Sequence, residues 1–205
     1  MTSFQAMDYA GVAVFAVTGA LVAARLRHDI VTFVFFATVT GIGGGTLRDL
    51  LIGAPVFWVA DQGYLVVCAI AALAAWFIGE PPWRGTLLNW LDGVGLAAYA
   101  VFGAAKALDV GVPSVVAVAM GVMTATFGGV LRDLFGGEPN VFLRREIYVT
   151  AALVSAAIFV VARHLAVPGV IAVIAAFVLG FALRAGAIVF GWSLPGYARK
   201  TGREA

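Results

Sequence analysis

The chain has 205 residues, of which 62% are hydrophobic and only 12% charged, with a mean hydropathy of +1.02. Soluble domains carry about twice that charge, so lipid must be the solvent for most of this chain, which excludes a soluble enzyme, a nucleic-acid binder and a disordered protein. The formal net charge is +2, and the single cysteine, Cys68, excludes an intrachain disulfide and a multi-thiolate zinc site.

A spanning helix needs about 20 mostly apolar residues. That rule predicts seven spans, over 7–24, 30–52, 64–78, 91–108, 113–135, 147–162 and 167–190, the third of them short. No stretch alternates polar and apolar residues as a barrel strand does. The segment before the first span carries no Lys or Arg, and no small-residue cleavage site follows it, so that run reads as a span rather than a signal peptide. If the amino terminus faces outward, Arg25, Arg27, Arg84, Arg144, Arg145, Arg199, Lys200 and Arg203 collect on the inner side and Arg163 alone stays outside. This bias predicts an outer amino terminus and a cytoplasmic carboxyl terminus.

The sequence repeats itself at an offset of 84 residues. Asp8 meets Asp92, Gly11 meets Gly95, Gly19 meets Gly103 and Thr40 meets Thr124. Gly44-Gly45 meets Gly128-Gly129, Leu47-Arg48-Asp49-Leu50 meets Leu131-Arg132-Asp133-Leu134, and Gly53, Pro55 and Tyr64 meet Gly137, Pro139 and Tyr148. Each copy holds three predicted spans, one over about 7–80 and the other over about 91–164. An odd number of spans makes the second copy enter from the opposite face, an arrangement that places transport sites at the repeat interface near the midplane. A seventh span, about 166–190, and a cytoplasmic tail, 191–205, complete a single membrane domain.

Gly43-Gly44-Gly45 and Gly128-Gly129 fall near the middle of spans two and five, with Thr40, Thr46, Thr124 and Thr126 close by. Glycine costs about 1 kcal/mol relative to alanine inside a helix. A broken helix at that depth would have to line protein or water, exposing carbonyls for a cation and amides for an anion. The other reading is that the glycines let two helices pack closely. Beyond them, Arg48-Asp49 and Arg132-Asp133 lie inside spans, where a charge costs roughly 3 kcal/mol or more unless it is paired or wet. Depth favours same-side pairs, Arg48 with Asp8 and Arg132 with Asp92, although both carboxylates also suit helix N-caps. These groups either tie the repeats together or set the field of a passage.

Lys106 breaks the repeat, because its mate is Val22. It reads either as a side chain reaching for the interface or as a charge at an outer mouth; Arg184 reads as reaching for the headgroups. His28 and His164 have no ligand cluster nearby. Trp58, Trp76, Trp83, Trp90 and Trp192 fall at span ends as an aromatic belt does. No nucleophile triad, phosphate loop or paired catalytic carboxylate is present, so no enzyme activity or cofactor is expected.

These features together resemble the prokaryotic trimeric intracellular cation (TRIC) channels: seven spans as three plus three plus one, with Gly43-Gly44-Gly45-x-x-Arg48-Asp49 and Gly128-Gly129-x-x-Arg132-Asp133. Gly137-Glu138-Pro139 and Arg144-Arg145-Glu146 are also similar to that family. The resemblance implies an all-helical bundle kinked at the glycines of helices two and five. It also implies a homotrimer in a bacterial inner membrane, with lipid around it and one pore per subunit, permeable to potassium or sodium. It further implies a voltage-linked role for Lys106. Bacterial members of the family were first labelled glycine transporters, and a secondary transporter of glycine or another small zwitterion is the alternative.

Overall fold

The computed structural model describes residues 3–79, 83–138 and 147–195. Pro139, Arg144, Arg145, Glu146, Arg199, Lys200 and Arg203 therefore lie outside the described residues. Within them the chain is all-helical: α1 (Ser3–Arg25), α2 (Ile30–Leu51), α3 (Phe57–Ala60), α4 (Gly63–Ile78), α5 (Arg84–Asp109), α6 (Ser114–Phe135), α7 (Val149–His164) and α8 (Gly169–Phe190). Segments of α1, α2, α5, α6 and α8 are long and apolar enough to cross a membrane. Of the seven expected spans, α4 and α7 are shorter, at 16 residues each, or about 24 Å of helix. The eighth element, α3, is a single turn between α2 and α4 that hydropathy does not reveal.

The two copies fold alike down to single hydrogen bonds. α2 ends with the Ile52 amide on the Arg48 carbonyl and the Ala54 amide on that of Asp49; α6 ends with Gly136 on Arg132 and Glu138 on Asp133. Gly53 and Gly137 close those ends at φ +66° and +62°, the left-handed conformation in which glycine escapes the Cβ clash. After α1 the Arg27 amide bonds the Ala24 carbonyl, and after α5 the Gly111 amide bonds that of Leu108. The same neighbours pack in each copy: α1–α2 and α5–α6, α1–α4 and α5–α7, α2–α4 and α6–α7. α2 and α6 join the copies, and α8 covers α5 and α7.

The core is made of small residues and aromatics, among them Ala16, Ala20, Ala37, Ala104, Phe15, Phe36 and Tyr99. Small side chains suit a bundle in lipid, because helix association there rests on close van der Waals contact rather than on escape from water. α5 begins two turns earlier than expected, at Arg84. That places Asp92 inside the helix and 2% exposed, and Asp8 likewise sits well inside α1. Neither carboxylate is an N-cap.

At Gly53 and Gly137 a Cβ would meet nothing within 4 Å, so substitution tests the backbone alone. Gly53→Ala and Gly137→Ala should each cost about 1 kcal/mol, equally, in thermal unfolding of the detergent-solubilised protein. A loss at only one of them would mean that the two copies do not end alike.

Candidate functional site

α2 and α6 are each one uninterrupted helix through their glycines, so of the two readings of those glycines, a break and close packing, it is the break that the structure corrects. The structure instead uses the glycines for contact. A Cβ on Gly44 would overlap the Thr124 carbonyl oxygen, and a Cβ on Gly128 would overlap that of Thr40. Gly44 is the repeat mate of Gly128, and Thr40 of Thr124, so the contact is reciprocal. Its order is reversed along the two helices: moving from Thr40 to Gly44 on α2 moves from Gly128 back to Thr124 on α6. The helices therefore cross antiparallel. Gly43 faces the Leu131 side chain, Gly45 the Phe57 ring and Gly129 the Tyr148 hydroxyl.

The threonines mostly serve their own helices. Thr46, Thr124 and Thr126 donate to the carbonyls of Ile42, Met120 and Val122, at 2.7, 2.6 and 2.8 Å, bonds of the kind that bend helices slightly. Gly19 of α1 faces Thr40 Oγ1, and Gly103 of α5 faces Thr124 Oγ1. Those two hydroxyls thus lie at the α1–α2 and α5–α6 seams. Thr46 also accepts from Trp58 Nε1 at 2.9 Å, which makes Trp58 a partner of the glycine motif as well as an aromatic near a span end.

One turn past each crossing glycine stands an arginine. Arg48 Nε donates to Asp49 Oδ1 at 2.8 Å, and Arg132 Nε to Asp133 Oδ1 at 2.9 Å, so each arginine reaches its own neighbour. All four side chains are buried. Beyond that the copies diverge. Asp49 Oδ2 accepts Lys106 Nζ at 2.8 Å and the Phe57 amide at 3.0 Å. The carboxylate thereby anchors α3, and the Phe57 ring sits 6.0 Å from the Arg48 guanidinium and 5.9 Å from the Lys106 ammonium, within cation–π range. Lys106 is ion-paired with its side chain 30% exposed, rather than simply reaching for the interface.

In the second copy Arg132 Nη1 reaches Asp92 Oδ1 at 2.7 Å and Thr18 Oγ1 at 3.2 Å, the same-side pair anticipated from depth. The corresponding Arg48–Asp8 pair is not made. Asp8 instead accepts from the hydroxyls of Tyr64, at 2.8 Å, and Tyr99, at 3.1 Å. Arg184 is 3% exposed, lies 5.2 Å over the Tyr148 ring and donates to the Ile147 carbonyl; it does not reach the headgroups. Sequence reading missed Thr18, Phe57, Tyr99 and Arg184 as members of these clusters. For Tyr64 and Tyr148 the signal was there, since they are repeat mates. Among the described residues no group of three or more His, Cys, Asp or Glu side chains is placed to hold a metal.

Beside Asp8 is a surface cluster. Tyr9 donates to Asp61 at 2.6 Å, and the Gly63 amide and Gln5 donate to the same carboxylate. The Tyr9 hydroxyl first, then the Gly63 amide, hold Asp61 below the usual carboxylate range.

A helical bundle of two like-folded copies, joined through crossed glycines with charges held inside it, defines a polytopic membrane protein of internal-repeat architecture. A family model described as "Glycine transporter" matches residues 5–80 and again 89–164, at the same 84-residue offset. The chain is 36% identical over 198 residues to the UPF0126 inner membrane protein YadS of Escherichia coli strain K12, covering 94% of this chain and 95% of that one. It is also 36% identical over 197 residues to a UPF0126 membrane protein of Vibrio cholerae, covering 94% and 82%. The fold is similar to the TRIC trimeric intracellular cation channel orthologue from Rhodobacter sphaeroides, with TM-score 0.90, 49% identity and coverage of 94% and 100%. It is similar also to a second TRIC cation channel structure, with TM-score 0.84, 30% identity and coverage of 97% and 98%. The chain belongs to the TRIC family.

Two outcomes follow from this geometry. Gly44→Ala and Gly128→Ala drive a methyl into backbone and should each cost about 2–3 kcal/mol, whereas Gly45→Ala meets the edge of a ring that can yield and should cost less; denaturant titration of the solubilised protein ranks them. A depressed carboxylate pKa stabilises the fold above the ordinary value of about 3.9 and loses that contribution as pH falls through the folded value. Tyr9→Phe should therefore raise the Asp61 titration point and bring on acid destabilisation at a higher pH, read from Asp61 carboxyl NMR shifts below about pH 4.

Proposed function

We propose that this chain is a monovalent cation channel, permeable to potassium, assembled as a homotrimer with one pore per subunit. The observation that carries the reading is the pair of buried Arg–Asp motifs on opposite sides of the α2–α6 crossing, one of them extended by the partly exposed Lys106. Charges at such depth are costly, and a route for ions is the use that repays them. Similarity to structures of cation channels supports the same reading.

The antiparallel crossing of repeat mates fits copies that enter the membrane from opposite faces. The proposed topology puts the amino terminus outside and the carboxyl terminus in the cytoplasm of a bacterial inner membrane. Contact at Gly44 and Gly128 leaves no room for an ion between the two helices, so the route passes beside the crossing. Gly43–Gly45 and Gly128–Gly129 are where α2 and α6 flex, helped by the threonine back-bonds. Arg48, Asp49 and Lys106 set the field on one side, Arg132 and Asp133 on the other.

Purified protein in planar bilayers under a potassium gradient should give unitary openings that reverse near the potassium equilibrium potential. Saturable glycine uptake without current would establish the transporter reading instead. Moving one charge through 100 mV is worth about 2.3 kcal/mol. If Lys106 crosses a third of the field, Lys106→Gln should weaken the voltage dependence of the open-to-closed ratio about fourfold per 100 mV. Unchanged voltage dependence would remove Lys106 from the gating step.

A further inference from the structure

Where α5 and α7 end and α8 begins, a cavity of about 550 Å³ opens between the three helices. Phe102, Leu108, Phe159 and Val173 make it apolar, and Asp109 and Arg163 stand among its lining residues. Both charged side chains are exposed. Neither has a hydrogen-bond or ion-pair partner among the described residues, in contrast to the paired charges of the bundle interior. The Arg163 guanidinium rests against the start of α8, with Nη1 3.6 Å from where a Cβ on Gly169 would stand.

The place is a property of the repeat. Ala24, Ala75 and Gly79, the mates of Leu108, Phe159 and Arg163, line a smaller hollow of about 290 Å³ in the first copy. α8 has no mate, and it walls the larger cavity with Val173 and Ile174. An apolar hollow offers water no hydrogen bonds, and between membrane helices the apolar material at hand is an acyl chain. A chain entering there carries its headgroup past the two unpaired charges. A guanidinium binds phosphate in a two-pronged, charge-assisted contact, and a carboxylate accepts hydrogen bonds from a primary ammonium.

We propose that this cavity binds a phosphoethanolamine lipid, with one acyl chain between α5, α7 and α8, the phosphate on Arg163 and the ammonium on Asp109. The proposal does not depend on ion conduction.

The test is native mass spectrometry of the intact, detergent-solubilised oligomer offered phosphatidylethanolamine, phosphatidylcholine and phosphatidylglycerol of the same acyl composition. The expected result is retention of phosphatidylethanolamine about fivefold above the other two, the ratio that an exposed charge contact gives. Arg163→Gln should lower retention of all three lipids. Asp109→Asn should abolish the preference for ethanolamine while sparing phosphatidylglycerol. Val173→Trp, and Ile174→Trp at the more exposed edge should the first fail to fold, should fill the cavity and eliminate retention with the oligomer intact. Equal retention of the three headgroups overturns the proposal, as does retention indifferent to the filling variants. Dissociation of the oligomer by a filling variant with lipid retention unchanged would also overturn it, by giving the cavity to a second copy of this chain. The readout is bound mass rather than current, so its failure leaves the channel reading standing, and the reverse.

Discussion

The closest approach of α2 to α6 is set by two carbonyl oxygens, those of Thr124 and Thr40, resting where Gly44 and Gly128 have no side chain. In lipid there is no hydrophobic drive to press helices together, so contact this close is what helix association has to offer. Everything placed further along the two helices follows from it. Because each arginine stands one turn beyond its crossing glycine and the helices run antiparallel, Arg48 and Arg132 are carried to opposite sides of the crossing. A larger residue at either glycine would separate the helices and loosen both charge clusters together.

Those clusters begin from identical inventories and end differently. Each copy supplies one arginine and two carboxylates, Arg48 with Asp49 and Asp8, Arg132 with Asp133 and Asp92, and so leaves one negative charge in excess. The further cation near each cluster comes from outside the repeated pattern: Lys106, paired with Asp49 where the other copy has Val22, and Arg184, over the Tyr148 ring on the helix without a counterpart. Lys106 is compact, single-pointed and partly exposed beside Asp49. Arg184 is buried, its guanidinium lying over the Tyr148 ring and its Nη1 donating to the Ile147 carbonyl. One cluster is accordingly closed by a partly exposed cation and the other lies beside a buried one.

Much of this was legible in the residues because it rests on short-range rules. Span positions follow from hydropathy. The turn glycines Gly53 and Gly137 and the crossing glycines Gly44 and Gly128 are marked by the repeat itself. α3 was illegible, since a four-residue helix has no period to detect; it exists because the Asp49 carboxylate takes the Phe57 amide across a loop. The short α4 and α7 were legible too: the predicted spans 64–78 and 147–162 are 15 and 16 residues long, the second placed two residues early.

By itself, then, the sequence determined the solvent, the doubled three-helix unit and which side chains would be charged at depth, because composition and the 84-residue offset are properties of the chain alone. Only the tertiary structure decided whom those charges meet. Asp8 goes to two tyrosines and not to Arg48, Lys106 goes to Asp49, and the glycines serve a crossing rather than a break. Partner choice is a matter of a few ångströms and of helix rotation, which depend on every other contact in the bundle. Two sites with the same residues can therefore be wired differently once a single unrepeated helix leans on one of them.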